Sequence, residues 1–557
     1  MQCNNKLLNA DFSSLCLLLA ANTTLADPSP PDAGAIQRDL QPGIQAPEPS
    51  PDFRFQGDDL QQKTAPGGMQ VTLKQIELSG NSSFSENELL AVLGDYQNQS
   101  YDLAGLHYLA HRISSFYRDN GYPFARAYLP AQEMQDGQLQ IGILEGRYGA
   151  VRATGEDHLI DPVQNFISNL STGDVIKSNS IERTTLLLDD LPGIKALPVM
   201  RPGQNTGEGD LEIRIEPQPR ASGSLSADNH GNRYSGAYRT QATININRLL
   251  HFSDELSLSA LYTDQHMWFG QFDYSMLLGN SGLRGNLGYG RTSYDLGKEF
   301  DSLDAIGTSD TANLGLTYPV LRSQSANIRL GISYQHKDLR DEIAGTETRS
   351  ATSHTVPLRL SFDVRDGLFG GAITYGTLSW THGNLLIDNG LQRAIDDQTA
   401  KIRGSYRRIN IDLARVQRLC DNFSAFMRIA GQRGSKNLYS SEDFNIGGAQ
   451  GVRAYPQGEA SGDHGYLVQL ELRYRIAKYY EPYVLYDYAR VTFNDETWSG
   501  YTGDNHRRLS GAGIGMRYAR GDWSANVSAA WRMAGGQPES VDRDPRPRIL
   551  ANIIFRF

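Results

Sequence analysis

Apolar and polar residues alternate along most of the chain after about residue 220. In residues 238–247 and 523–532, every second residue is mostly apolar or aromatic, and the residues between them are mostly polar. A period of two predicts β-strands that present one face to lipid and the other to water. About 16 such segments fit between residues 220 and 557, and bacterial membrane barrels have even strand numbers. A β-sandwich also alternates, but about 340 residues would be unusually many for one sandwich domain.

The alternation continues to the last residue, Phe557. A strand that closes a barrel should end there. Tyr and Trp residues near the segment ends fit the aromatic girdles of a membrane barrel. We therefore predict a transmembrane antiparallel β-barrel over residues 219–557, with Phe557 at its closing strand.

Residues 70–147 have a different pattern. An alternating run predicts a strand over residues 71–78, and Ser85 with Glu88 forms a capping box that starts a helix. Asp102 can cap a second helix, which carries an apolar stripe. Two more strands follow, so the predicted order is β-α-α-β-β.

A looser unit of the same kind is predicted over residues 148–218. Helical stretches lie near residues 163–170 and 181–191, and an alternating strand over residues 211–215 closes the unit. Two small α+β domains in tandem are therefore expected before the barrel.

The N-terminal segment predicts a targeting signal and a linker. Residues 1–26 read as a signal peptide with a short apolar run, although a disordered tail is the alternative. Residues 27–69 are rich in proline. Within them, Asp32 could cap a helix over about residues 32–41. A helix that short is marginal in water, so it would need a cavity, and we consider a barrel plug and a plain disordered linker as open alternatives.

Composition and motifs exclude several functions. The net charge is −10 without a basic block, so nucleic acid is not an expected partner. The three cysteines include two within residues 1–26, which leaves no basis for a disulfide framework or a metal cluster. The sequence contains no G-x-S-x-G, H-E-x-x-H or Walker A motif. We expect no enzyme activity, cofactor or metal.

A glycine-rich stretch over residues 444–456 is the best candidate site. It carries one arginine, Arg453, and could be either a mobile surface loop or a loop folded into the barrel, over about residues 435–465. Strand periodicity places Asp487 on the lumen face, where it could pair with Arg453. A nearby strand has three glycines at period two, which predicts a wall free of side chains for about 14 Å; these are Gly511, Gly513 and Gly515.

Two motifs then point to a family. The tip Val452-Arg453-Ala454-Tyr455 resembles the V-R-G-Y/F motif in the sixth extracellular loop of the outer-membrane assembly superfamily, with Ala454 in place of glycine. Residues 485–489 resemble its F-x-D-x-G strand motif, of which Asp487 is kept. The β-α-α-β-β units resemble polypeptide-transport-associated (POTRA) domains. Residues 70–557 as a whole resemble two-partner secretion transporters of the haemolysin secretion/activation type.

The resemblance implies a function in secretion. Such a pore would bind a partner exoprotein through its POTRA domains and move it from the periplasm to the cell surface without ATP. The implied partner is an adhesin, haemolysin or contact-dependent toxin. The resemblance also implies contact with outer-membrane lipid and with the barrel assembly machinery during biogenesis. An insertase for other barrel proteins is the alternative, and the presence of only two POTRA units favours secretion.

Overall fold

The computed structural model describes residues 30–48, 50–51, 65–134, 136–541 and 545–557. The expected signal peptide lies outside these ranges. Within them, no helix has the length and apolar character needed to cross a membrane. The described chain begins with a short helix, α1 (Ala33–Asp39), and continues through two α+β domains into a closed barrel.

The first α+β domain contains the predicted elements, with two differences. A short strand over Gln99–Tyr101, which the sequence pattern did not predict, lies between the two helices. The run over residues 71–78 forms two strands rather than one, because Lys74 leaves the ladder and donates its N–H to the Gly137 carbonyl at 2.8 Å. Ser85 and Asp102 cap the two helices as expected. The elements are β1 (Val71–Leu73), β2 (Gln75–Ser79), α2 (Glu86–Leu93), β3 (Gln99–Tyr101), α3 (Leu103–Asp119), β4 (Arg126–Tyr128) and β5 (Gln138–Leu144).

The second α+β domain differs more from its prediction. Its first helix begins at Asp157, earlier than expected, and it contains a strand that the sequence pattern did not reveal. Pro198 and Pro202 lie in that strand, and proline obscures a strand pattern. The elements are β6 (Arg147–Thr154), α4 (Asp157–Phe166), α5 (Ser178–Asp189), β7 (Ile194–Pro202) and β8 (Glu208–Pro217).

The barrel has 16 antiparallel strands, which confirms the predicted fold class. Two further short strands, β20 (Phe444–Asn445) and β21 (Ser461–Gly462), pair with each other in the loop over residues 435–463. The wall consists of β9 (Ala221–Asp228), β10 (Arg239–Asn247), β11 (Glu255–Thr263), β12 (Trp268–Leu277), β13 (Arg284–Asp295), β14 (Ala305–Arg322), β15 (Ala326–Ile343), β16 (Thr346–Asp366), β17 (Ala372–Ile387), β18 (Gly404–Arg418), β19 (Phe423–Gly434), β22 (His464–Tyr474), β23 (Tyr480–Thr492), β24 (His506–Arg520), β25 (Trp523–Ala534) and β26 (Arg548–Arg556).

The first and last strands close the barrel. β26 pairs with β9, and beyond the ladder Phe557 and Gly223 exchange two backbone hydrogen bonds of 2.9 and 3.0 Å. Outward-facing residues such as Val527 and Trp531 are exposed, as expected for side chains that face lipid.

The α+β domains mark one end of the barrel. In the second domain, Arg183 donates to the Pro319 carbonyl at 2.8 Å, beside the turn that joins β14 to β15. We call this the periplasmic end, after the location expected for these domains. The turn between β15 and β16 and the loop over residues 435–463 therefore lie at the opposite, extracellular end. A helix α6 (Gly390–Gln398) also lies there, between β17 and β18.

Candidate functional site

The loop between β19 and β22 folds into the lumen. At its tip, Val452, Ala454 and Tyr455 are buried and pack against lumen-facing apolar residues of the wall, including Leu485 and Leu509. Backbone turns tighten the loop; Val452 donates its N–H to the Ile446 carbonyl at 2.8 Å. The wall thus shields the tip from solvent.

The structure brings Arg453 and Asp487 together. Asp487 lies on the lumen face of β23 and is 0% exposed. It accepts hydrogen bonds from Arg453 Nε at 2.9 Å and Nη2 at 2.7 Å, in the forked geometry of an arginine–carboxylate pair. The backbone N–H of Arg453 donates to the same carboxylate at 3.0 Å. The loop tip is therefore held by both its side chain and its backbone.

A second carboxylate, Glu471 on β22, completes the site. It accepts from Arg453 Nη1, and its other oxygen accepts from Arg473 Nε at 2.9 Å and from Arg517 Nη2 at 2.7 Å. Three arginines therefore share two buried carboxylates. The sequence argument missed Glu471, although its position between the outward-facing Leu470 and Leu472 was a usable signal.

The glycine face of β24 is only partly free. The tip contacts Gly511, where an added Cβ would lie 2.5 Å from the Ala454 methyl. Gly515 lies under the ring of Tyr483, because a Cβ added to Gly515 would lie 2.2 Å from the Cζ atom of that ring. The loop therefore does not pack on Gly515. The prediction of a wall free of side chains along all three glycines was wrong, because Tyr483 of the neighbouring strand covers one end. Gly513 packs closely against the adjacent strand, because a Cβ added to Gly513 would lie 2.3 Å from the Ala529 carbonyl oxygen.

Tyr455 anchors the tip on its other side. Its hydroxyl donates to the carbonyls of Ala534 and Gly536 at 3.0 and 3.1 Å, near the end of β25. Ala454 does not require the left-handed backbone region that favours glycine, so alanine fits this position. The motif residues thus connect β23, β24 and β25 through one turn of loop.

Helix α1 also lies inside the lumen, near the extracellular end. Asp32 caps it by accepting from the Ala35 N–H at 2.8 Å, and it pairs with Arg349 at 3.0 Å. Ser440 of the inward loop donates to Asp32 at 2.7 Å. The Ala33 N–H donates to Asp341 at 2.9 Å. The helix therefore contacts both the wall and the loop.

The following segment passes along the lumen to the periplasmic end. Residues 40–48 contain neither helix nor strand, and they border a cavity of about 830 Å³ inside the barrel. At the far end, Arg365 donates to the Glu48 carbonyl at 2.9 Å, and Arg322 donates to Ser50 at 3.0 Å. The N-terminal segment therefore runs through the barrel from one end to the other.

Comparison with known proteins identifies the family. The model of the haemolysin secretion/activation protein ShlB/FhaC/HecB matches residues 207–518, which is more than half of the chain. The chain belongs to this family. A model of the ShlB-type POTRA domain matches residues 71–146, so the first α+β domain is a POTRA domain.

Several relatives of the haemolysin secretion/activation family match almost the whole chain. The heme/hemopexin transporter protein HuxB of Haemophilus influenzae strain 86-028NP is 29% identical, with 90% of this chain and 91% of that protein covered. The outer membrane transporter CdiB of Dickeya dadantii is 22% identical, with 84% and 85% covered. The structure of CdiB from Escherichia coli shares the fold with a TM-score of 0.71 at 18% identity, and covers 91% of this chain and 94% of that one.

The fold and the family membership agree on where the protein lies in the cell and on its class of function. The protein is an outer-membrane transporter whose POTRA domains lie in the periplasm, and it moves a partner exoprotein across the membrane. The structure of BamA from Haemophilus ducreyi lacking POTRA domains 1–3 has a TM-score of 0.51 at 15% identity, compared with a TM-score of 0.71 for CdiB.

Proposed function

We propose that this transporter secretes one large exoprotein and that α1 and the inward loop close its pore at rest. The observation that carries the proposal is the ion pairing of both elements inside the lumen. The loop is held by Arg453, and the helix is held by Asp32. Neither element contributes a strand to the wall, so both can leave without opening the barrel.

The partner would first bind in the periplasm, at an unpaired sheet edge. An extended chain can add to such an edge by backbone hydrogen bonds, while side-chain pockets select its sequence. Among the described residues, β2 of the first POTRA domain pairs only with β5. We assign the binding edge to β2, which offers five residues for pairing.

The sheet edges of the second α+β domain suit this role less well. In β7, Pro198 and Pro202 lack an N–H, and the Ala196 N–H is already bound to Asp189 at 3.2 Å. In β6, Gln164 occupies the edge by accepting from the Ala153 N–H at 2.8 Å. These contacts remove donors that an added strand would need.

Photo-crosslinking tests the assignment. A photoreactive amino acid at Gln75 or Glu77, both exposed on β2, should crosslink to the partner during secretion. The same group at Lys195 or Arg201, exposed on β7, is the matched control and should not. Deleting residues 70–147 should abolish secretion while the barrel still inserts. Crosslinking from β7 alone would reject the β2 edge, and normal secretion after the deletion would reject the role of the domain.

We also propose which kind of exoprotein the transporter secretes. HuxB is named as a heme/hemopexin transporter protein, and it is more similar to this chain than CdiB is. Among adhesin, haemolysin and toxin partners, we therefore favour an exoprotein that acts in heme acquisition. Mass spectrometry of culture supernatants, with and without the transporter gene, should show the loss of one large protein whose purified form binds heme or hemopexin. Loss of a protein that binds neither would contradict this assignment.

A further inference from the structure

A row of four arginines lies on the outer surface of the barrel at its extracellular end, with two arginines on each side of β22. The side chains belong to β18, β19, β23 and β24 and all are exposed. Each lies within four residues of the extracellular end of its strand; the four are Arg407, Arg433, Arg490 and Arg508.

The outward face of each strand changes from apolar to cationic at this level. In β23, the outward residues run from Val484 through Tyr486 and Tyr488 to Arg490. In β18, Ile409 lies on the same outward face as Arg407, one step further from the extracellular end. Tyrosines concentrate at the boundary between the hydrocarbon and the headgroups of a membrane. The arginines therefore lie at the level of the outer-leaflet headgroups.

The described residues supply no counter-ion to the row. Arg490 and Arg508 lie directly opposite each other in the β23–β24 ladder, an arrangement in which like charges repel. Within the described part of the chain, no carboxylate forms an ion pair with any of the four. Elsewhere on the outward face, Arg291 is paired with Asp310 at 3.4 Å on the neighbouring strand. The row thus differs from Arg291, whose charge is neutralised by a carboxylate on the neighbouring strand.

We propose that the row binds the phosphate groups of a lipopolysaccharide molecule in the outer leaflet. A guanidinium donates two parallel hydrogen bonds to a phosphate, and a phosphorylated glycolipid supplies anions at this depth next to acyl chains. The tyrosines and aliphatic residues below the row would contact those chains. Because the phosphates relieve the repulsion across β23 and β24, the bound lipid stabilises the wall against which the loop tip packs.

Thermal unfolding of the purified full-length protein in nonionic detergent tests this site. Lipopolysaccharide should raise the Tm of the wild type. The Arg490→Gln/Arg508→Gln variant should lose most of that rise, with binding about tenfold weaker for each arginine removed. Without lipid, the same variant should unfold at an equal or higher Tm, because the like-charge pair is gone. The single variants Arg490→Gln and Arg508→Gln provide the same comparison if the double variant does not fold.

The control variant is Arg291→Gln/Arg520→Gln. It removes the same number of outward charges, one from a paired position and one from the periplasmic end of β24, and it should keep the full response to lipopolysaccharide. Dephosphorylated lipopolysaccharide, phosphatidylglycerol and inorganic phosphate should each have little effect on the wild type. An equal response from the Arg490→Gln/Arg508→Gln variant would overturn the proposal. So would equal stabilisation by dephosphorylated lipid, by phosphatidylglycerol or by free phosphate.

Discussion

Arg322 of the barrel wall and Asp190 of the second α+β domain are joined by two hydrogen bonds, each 2.7 Å long. The same guanidinium donates to Ser50 in the lumen segment at 3.0 Å. One side chain therefore connects the wall, the periplasmic domain and the segment that follows α1. A movement of the domain that withdraws Asp190 must also change the anchor of the lumen segment.

Replacing Arg322 should loosen both connections together. We expect Arg322→Gln to raise ion conductance in planar bilayers and to increase the mobility of the second domain, measured by spin labels. Arg322→Lys should rescue poorly, because an ammonium lacks the planar fork. Arg365→Gln is the matched control, since Arg365 contacts the lumen segment through the Glu48 carbonyl. It should change conductance alone; equal effects of the two variants on domain mobility would contradict the coupling.

The loop-tip pair makes a prediction about secretion. Removing one partner of a buried ion pair typically costs about 3–5 kcal/mol, and less in a wet lumen. Arg453→Ala and Asp487→Ala should both reduce secretion strongly. Arg453→Ala should be the more severe, because it leaves Asp487 and one oxygen of Glu471 without their partner, whereas Asp487→Ala leaves Arg453 paired with Glu471.

Secretion assays, with heat-modifiable gel mobility as the measure of barrel assembly, check this order. The double variant should be no worse than Arg453→Ala, because both changes remove the same contact. Wild-type secretion by Arg453→Ala would show that the pair is not needed.

The packing of α1 makes a prediction about the closed state. A Cβ at Gly34 would lie 2.3 Å from Ser440 Oγ and 2.8 Å from the Ser441 backbone nitrogen, so the helix cannot accept a side chain there without moving. Gly34→Val should displace α1 and raise the conductance of single pores, as should removal of residues 27–41. Ala35→Val is the control on the less buried side of the helix. Unchanged conductance in both Gly34→Val and the deletion would argue against a plug.

The first POTRA domain should show a specific acid sensitivity. Burial alone would raise the pKa of Glu145, but hydrogen bonds from Ser82, Ser83 and Tyr117 outweigh it, and the pKa lies below its ordinary value. The resulting stability is present in full above the unfolded-state pKa of about 4.3 and is lost as the pH falls through the lower folded-state value.

Hydrogen–deuterium exchange of the full chain checks this sensitivity, after correction for intrinsic exchange rates. Glu145→Gln should lower protection of residues 71–146 at pH 7 by about 1–3 kcal/mol, the cost of leaving buried donors without a charged acceptor. As the pH falls below about 4.3, the wild type should approach the variant. A constant difference down to pH 2 would reject Glu145 as the titrating group.

Local patterns predicted the features that depend on neighbouring residues. The period of two along the C-terminal part led to the 16-strand barrel, and Asp32 was correctly expected to cap α1. The same alternation placed Asp487 on the lumen face, because side-chain direction in a strand follows directly from residue parity. These properties need no knowledge of the tertiary structure.

Features set by distant contacts could not be predicted in this way. Glu471 joins the site only because β22 and β23 are neighbours in a specific register. Tyr483 covers Gly515 for the same reason. The break at Lys74 depends on the Gly137 carbonyl, more than 60 residues further along the chain. Each outcome follows from a pairing that the local pattern does not encode.

The segment behind α1 shows what the channel can admit. Residues 40–48 pass between the wall and the inward loop as a single backbone, and the cavity that remains beside them is about 830 Å³, similar to a small-ligand pocket. A folded domain of 100 residues has a radius of gyration of about 13 Å and is far larger than that space. At rest the channel therefore admits no folded domain, and the departure of α1 and the inward loop would free room for an extended chain in their place. We expect the exported protein to leave the periplasm unfolded. Its folding outside the cell would prevent its return and give the movement a direction.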